Sequence, residues 1–479
     1  MDGGKDHDGA GGQGSGAARE TLAAFRSAPG YTYLIAGVAA LGGLLFGYDI
    51  GVISGAELQL VKAFHMSSGS EELAVSAVLI GSVVGGIFGG KLADAISRRY
   101  TLLACAVVYG LGAVLTAISP GYWWFFAFRV ITGLAVGVSS LTVPIFISEL
   151  APRQIRGGLV ILQQLAIACG ILISYLFDYL YTATGLGWRP MFATAVLAAI
   201  ALGVGMLVLD HSPRWLAMRG RWNEARRVIK KVDPSATDEE IEAIGESIEA
   251  EKSASWRDLF APGLRGALVA GVGLAVFQQF IGPNTVLFYG PTIFSYAKLT
   301  SASGALVSTI YVGLTLFAFV FVAIALVDIL GRKTLFYAGL SGMTAMLVAL
   351  GFLFRAGASS YGAELLIVLI VYIACYSMSI SPLFWLMSAE AFPTRLRALG
   401  ASWCTVANWS ANLLVTVTYL TMISSIGKSW TFWTYAIVGA ASLVFVKFCV
   451  PETKARPLED IEEYWTGGHS WPRHAAAGR

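Results

Sequence analysis

The chain has 479 residues, of which 56% are hydrophobic and only 13% charged, with a formal net charge of +3 and a mean hydropathy of +0.67. A soluble surface needs about a quarter of its residues charged, so this composition describes an integral membrane protein, and the small net charge without a basic cluster argues against nucleic acid as a partner. At roughly 20 apolar residues per crossing the length holds about a dozen helices, and the long continuous apolar runs exclude a β-barrel.

Residues 1–30 are glycine-rich, polar and aperiodic, and are expected to be a disordered tail. The first apolar run begins near Tyr33, is long and has no small-residue cleavage site, so it reads as a retained span and not a signal peptide. Spans are predicted at about 33–55, 72–93, 100–118, 122–147, 158–182 and 188–209, then at about 264–298, 303–327, 334–355, 361–389, 398–424 and 428–450. The expected architecture is all-α, with twelve transmembrane helices in two six-helix halves over 31–210 and 263–450. A polar linker over 211–262 with short helices joins them, and 451–479 forms a C-terminal tail. Thr237 followed three residues later by Glu240 fits a capping box that starts a linker helix. All five cysteines lie in apolar runs without metal-ligand spacing and read as reduced packing residues, so no metal or cofactor is implied.

Within the seventh span, the stretch AVFQQFIGPNTVLFYGPTIF carries Gln278, Gln279, Asn284 and Tyr289, whose polar groups need partners at membrane depth. At about 100° per residue Gln278 and Tyr289 share a direction while Asn284 lies about 240° away, so one straight helix cannot aim all four at a single cavity. Gly282 and Pro283 break the helix and allow its second half to be reaimed. Broken helices at membrane depth line water-filled cavities and mark transporter binding sites. The alternative is a kinked helix whose amides bond neighbouring helices.

Loop charge is asymmetric. Lys91, Arg98, Arg99, Arg153, Arg156, Arg332, Lys333, Arg395 and Arg397 fall in alternate loops on the side of both termini, while the opposite loops hold mainly Lys62, Lys298, Arg355 and Lys428. The positive-inside rule then places both termini in the cytoplasm. The charges also repeat. Asp94 with Arg98 and Arg99 recurs as Asp328 with Arg332 and Lys333, a shift of 234, and Glu149 with Arg153 and Arg156 recurs as Glu390 with Arg395 and Arg397, a shift of 241 for Glu149 and Arg156 and of 242 for Arg153. Two halves of like orientation follow, with a cavity between them near midplane. Acid and base at matching helix ends suit a cytoplasmic gate that bridges neighbouring helices, the simpler reading being charges that only fix topology.

Asp49 lies well inside the first span, where an ionised carboxylate is costly unless paired or hydrated, and Arg129, early in the fourth apolar run, is placed to pair with it. A purely structural ion pair is the alternative.

The motifs GYDIGVISG, RVITGLAVG, SELAPRQIRG, SPRWL, QQFIGPN, DILGRKTL, PLFW with AEAFPTRLR, and PETKARPLEDIEE run in order from about Tyr33 to Tyr464. As a set they resemble the motif series of the sugar porter family of the major facilitator superfamily. The resemblance implies secondary active transport by alternating access and a polyol-binding cavity. It matches Phe46, Gln164, Gln278, Gln279, Asn284, Trp385, Asn408 and Trp409 to the family's sugar contacts. The chemistry agrees, because amides both donate and accept, as hydroxyls do, and indole offers a flat apolar face. The resemblance likens Asp49 to the aspartate of proton-coupled members. It thereby implies symport of a proton with a monosaccharide, glucose or a similar aldohexose, into the cell through its cytoplasmic membrane. Protonating Asp49 would release Arg129 and ease closure around the sugar.

Some residues depart from the family pattern. Leu316 stands where many members place a sugar-contacting asparagine, Pro283 replaces the usual aliphatic residue and Phe384 a proline just before Trp385, in two gating helices, and Ala95 and Ser97 weaken the first cytoplasmic motif. A facilitative uniporter, an inositol or pentose symporter, and a non-transporting sugar sensor remain rival readings. An enzyme is not expected, since no membrane-embedded Ser/His, paired-carboxylate or metal constellation is visible. The expected partners are the sugar, the proton and the lipid bilayer around a monomer.

Overall fold

The computed structural model describes residues 30–467 except 151–155, 235, 238, 240, 243–244, 246–247, 249–254, 297–301, 358–359 and 455–457. The predicted tail before Gly30 and the Glu240 half of the predicted capping box lie outside the described residues. All regular elements described are helical, and twelve are long and apolar enough to cross a membrane. The first six are Gly30–Phe64, Ser68–Ile96, Arg98–Ala117, Tyr122–Leu150, Leu162–Ala183 and Trp188–Val208. The second six are Arg265–Phe288, Gly304–Val327, Arg332–Ala356, Gly362–Ser388, Arg397–Ile426 and Lys428–Cys449. They are called the first to twelfth spans below.

Glycine spacing decides how the first half packs. Gly43, Gly47, Gly51 and Gly55 recur every fourth residue on the first span, and a methyl group on each would run into Gln163, Ile167, Ser174 or Asp178 of the fifth. The second and fourth spans make the same contact through Gly81, Gly85, Gly133 and Gly137, each against backbone of the other helix. Between helices in lipid, close backbone approach replaces the hydrophobic drive that water supplies elsewhere.

The second half contains the two interrupted spans. In the seventh, the helix Arg265–Phe280 stops, Gly282 takes φ +86°, and the half-helix Pro283–Phe288 restarts with proline at its first turn, where no backbone donor is needed. A further short helix, Gly290–Tyr296, follows. Tyr372 donates to the Ile281 carbonyl at 2.9 Å, giving the break one of its missing partners. In the tenth, Gly362–Met378 and Ile380–Glu390 meet at Ser379.

Short helices Pro213–Met218 and Trp222–Val232 and a 3₁₀ turn Trp256–Phe260 cover the face where the first span begins, hereafter the linker face. The turn is capped by Ser255 and Asp258, a reciprocal box that the sequence reading passed over. The C-terminal tail also carries an unanticipated helix, Leu458–Thr466, which buries Ile461 and Trp465. Their i, i+4 spacing puts both on one face. On the opposite face the halves are tied together. Glu72 of the second span accepts from the Thr421 backbone and hydroxyl of the eleventh, each at 2.7 Å. Glu57 accepts from Thr292 at 3.0 Å, and Tyr175 donates to the Leu287 carbonyl at 2.8 Å.

Candidate functional site

A small cavity of about 40 Å³ lies between the halves, well below the roughly 300–1,000 Å³ typical of small-molecule sites, so the halves are drawn in around it. Phe46, Gln164, Gln278, Gln279, Asn284, Trp385, Asn408 and Trp409 all line it. The break at Gly282 brings Asn284 back beside Gln279, and its amide donates to Gln279 Oε1 at 2.6 Å. Gln279 donates to Asn408 Oδ1 at 3.2 Å, and Asn408 donates to Gln278 Oε1 at 2.6 Å. Gln278 in turn donates to the Ile380 and Ser381 carbonyls at 3.2 Å, at the start of the second half-helix of the tenth span. The amides therefore form one buried neutral network whose members can exchange each other for an outside hydroxyl.

The two halves both contribute. Gln164 donates to Ser381 Oγ at 3.0 Å across the cavity. Phe46 lies 5.1 Å from the Trp409 ring, and Trp409 donates to Ser140 Oγ at 3.2 Å. The sequence reading passed over Ser381, Tyr376, Ile50, Ile167 and Ile171 as lining residues. Ser381 follows directly on the break at Ser379, and that break was the available signal. Leu316 does line the cavity, as an apolar wall. Tyr289 does not line it. Its hydroxyl donates to the Thr416 carbonyl at 3.2 Å and its ring lies 5.0 Å from Tyr419, in the closed layer towards the opposite face.

Asp49 and Arg129 are both buried and pair through two bonds, at 2.5 and 3.1 Å. The guanidinium also sits over the Phe192 ring at 5.4 Å. Bidentate geometry is the strong form of such a pair, and it cross-links the first and fourth spans. Phe46 and Ile50, on the same helix as Asp49, belong to the cavity wall, so a shift of the first span reaches both places.

At the linker face the repeated charges take equivalent positions. Arg98 bonds Asp94 at 2.7 Å and Glu149 at 3.1 Å, and Arg332 bonds Glu390 at 3.4 Å. Glu149 also accepts from Ser212 at 2.5 Å, and Glu390 from Thr453 at 2.7 Å. Ser212 and Thr453 stand 241 residues apart, the same spacing as Glu149 and Glu390, so the repeat extends into two hydroxyls the sequence reading did not count. Arg99 donates to the Met206 and Leu207 carbonyls, Lys333 to the Lys447 carbonyl, and Arg395 reaches Asp258 at 3.8 Å instead of Glu390. Arg397 opens the eleventh span. Arg153 and the side chains of Arg156 and Asp328 lie outside what is described.

One position breaks this symmetry. Gly331 and Ser97, 234 residues apart, hold φ of +86° and +87°, a region that only glycine enters easily. Ser97 Oγ is held 2.8 Å from His211 Nδ1, which stacks on Trp215. Burial first, then the nearby Arg99 and Arg221 charges, pushes the His211 imidazole below its usual range.

Comparison with known proteins extends this geometry. A family model described as "Sugar (and other) transporter" matches residues 35–465. A D-xylose transporter of Levilactobacillus brevis is 39% identical over 438 residues, covering 90% of this chain and 95% of that protein. The galactose-proton symporter of Escherichia coli K12 is 37% identical over 443 residues, covering 91% and 95%. Among solved structures, the proton:xylose symporter XylE bound to 6-bromo-6-deoxy-D-glucose superposes with a TM-score of 0.80 at 32% identity, covering 91% of this chain and 99% of that one.

Proposed function

Because the chain belongs to the sugar transporter family, we propose that it is a proton-coupled symporter that carries a monosaccharide into the cell by alternating access. Family members are transporters, and the twelve apolar spans make this a multi-pass membrane protein. The linker face is cytoplasmic, with both termini inside, by the basic-residue bias of its loops. The 31–210 and 263–450 units rock against each other as a monomer in the bilayer, with 211–262 joining them.

The observation that carries the coupling is the buried Asp49–Arg129 pair on the helix that also supplies Phe46 and Ile50 to the cavity. A proton on Asp49 removes the charge that Arg129 holds. The first and fourth spans are then freed from each other, and the aromatic wall at Phe46 can close on a sugar. The sugar is held by Gln164, Gln278, Gln279, Asn284 and Asn408, with Trp385 and Trp409 against its C–H faces. Tyr289 belongs to the layer that closes over the sugar. Arg98, Arg99, Arg332, Lys333, Arg395 and Arg397, with Asp94, Glu149, Asp328 and Glu390 and the undescribed Arg153 and Arg156, form the cytoplasmic gate. Coupling requires that Asp49 hold its proton differently in the two orientations, since a ligand indifferent to the states shifts nothing.

A glucose-type aldohexose suits the ring of amides. A pentose is the second reading, favoured by the xylose transporters among the relatives and by the apolar Leu316 wall. Radiolabelled uptake into proteoliposomes tests both, with and without an inward proton gradient and with glucose, xylose, galactose and arabinose as competitors. Gradient-driven accumulation in the wild type, with only exchange left in Asp49→Asn, is expected. Equal gradient-independent equilibration in both proteins leaves a uniporter.

A further inference from the structure

Asp178 sits on the fifth span where the glycine stripe of the first span ends. A methyl group on Gly55 would overlap its side chain, so the helices touch there, and the residue is wholly buried. Neither of its carboxyl oxygens has a hydrogen-bond partner. The Gly55 peptide lies against it without reaching hydrogen-bond geometry. The titratable groups that face it are Tyr48 from the first span and Tyr175 from its own helix. Both phenols already donate elsewhere, Tyr48 to the Met191 carbonyl at 2.9 Å and Tyr175 to the Leu287 carbonyl at 2.8 Å. Tyr181 on the same helix pairs with Thr194 of the sixth span at 2.7 Å. The eighth span brings Gly313 against Tyr175, with no charge. On the first span, beside Gly55, Ser54 Oγ and Glu57 Oε2 are buried and unpartnered as well, while the other oxygen of Glu57 accepts from Thr292 and Glu71 lies within bonding reach.

A carboxylate with neither counter-charge nor donor is driven to its neutral acid when buried. Asp49 is the contrast. It lies about 9 Å back along the first span at 1.5 Å per residue, and there Arg129 meets its charge with two bonds. We propose that Asp178 is a second proton-binding site, separate from Asp49, which holds a proton while the face opposite the linker is closed. Tyr175, one turn earlier on the same helix, bonds the seventh span across the halves on that face. When the halves part there, water reaches Asp178, the O–H bond on its carboxyl breaks and the proton leaves to that side. As they close, a proton from that side rebinds the carboxylate. By linkage, acid on that side favours closure. The sugar makes no contact with Asp178.

The inference rests on the alternating-access reading above, but its first test needs no transport. Infrared spectroscopy of the purified protein in lipid, titrated with acid and base, reads buried carboxylic acids by their C=O stretch. The band is expected in wild type and in Asp49→Asn, and is expected to lose intensity in Asp178→Asn, where Glu57 can leave a residual band. An undiminished band in Asp178→Asn overturns the proposal. If Asp178→Asn does not fold, wild type grown with carboxyl-¹³C aspartate decides. A shifted band supports an aspartic acid, and an unshifted band assigns it to a glutamate and overturns the proposal. In proteoliposomes, sugar exchange in wild type should vary with outer pH, and Asp178→Asn should flatten that variation by about fivefold, the low end of site-to-site coupling. Unchanged pH dependence overturns the gating role. Absence of gradient-driven accumulation in the wild type, with the band intact, would count against symport at Asp49 while leaving the second site standing.

Discussion

The two halves solve different problems with different backbones. The first is built on continuous helices pressed together at glycines, and its interior carries ionisable side chains, with Asp49 and Arg129 paired and Asp178 sealed at the end of the stripe. The second is interrupted at Gly282 and Ser379, and its interior is neutral, with amides bonded to each other and to carbonyls beside the tenth-span break. Charge at membrane depth needs a rigid, fully packed surround so that its partner stays in place. A ligand with many hydroxyls needs donors and acceptors that can be redirected, which broken helices provide. The comparison teaches that the buried ion pair belongs to the first half and the amide network to the second, while the cavity wall is shared, through Phe46 and Ile50 of the first span and Gln164 of the fifth.

The strongest way to break this division is Arg129→Ala. It leaves the buried Asp49 carboxylate without its counter-charge, at a cost of about 3–5 kcal/mol if the group stays ionised. The measurable result is a lower melting temperature near neutral pH and an uptake profile moved to the alkaline side; an unmoved profile contradicts the pairing role. Gln279→Ala takes one member from the neutral network and should weaken sugar binding by about 1–3 kcal/mol, read by calorimetry, with the pH profile unchanged. Unaltered affinity rejects that contact. Glu149→Gln removes the negative charge that faces Arg98 and one of the two oxygens that accept from Arg98 and Ser212, and should slow turnover severalfold while sugar affinity stays within about 1 kcal/mol of wild type; lost binding in folded protein argues against the gate. The smallest effect concerns the asymmetry between Ser97 and Gly331. His211 is held below its usual range by burial and by Arg99 and Arg221, so the folded state favours the neutral ring. Its contribution is present above the unfolded value of about 6.5 and declines as the pH falls below it. Melting curves of wild type and His211→Gln should therefore converge in acid, and parallel curves would reject the assignment.

The twelve spans, their division into six and six, and the break in the seventh were legible in the sequence, because hydropathy and proline act locally and lipid permits few alternatives. The amide set was legible too, since Gln278, Gln279, Asn284 and Asn408 are conspicuous among apolar neighbours. Other features depended on what lies across an interface. Tyr289 shares a direction with Gln278 on an ideal helix, yet the break turns it into the closed layer beside Thr416 and Tyr419. Asp178 stands in an apolar run as Asp49 does, but its lack of a partner is a tertiary fact. Ser212 and Thr453 acquired meaning only when the repeat was seen closing on Glu149 and Glu390. What the sequence determined by itself was which segments enter the membrane, since transfer from water depends on composition alone. Which buried polar group is paired, which is left to hold a proton and which faces the cavity was decided only by tertiary structure. Partnership depends on helices distant in sequence approaching within a few ångströms.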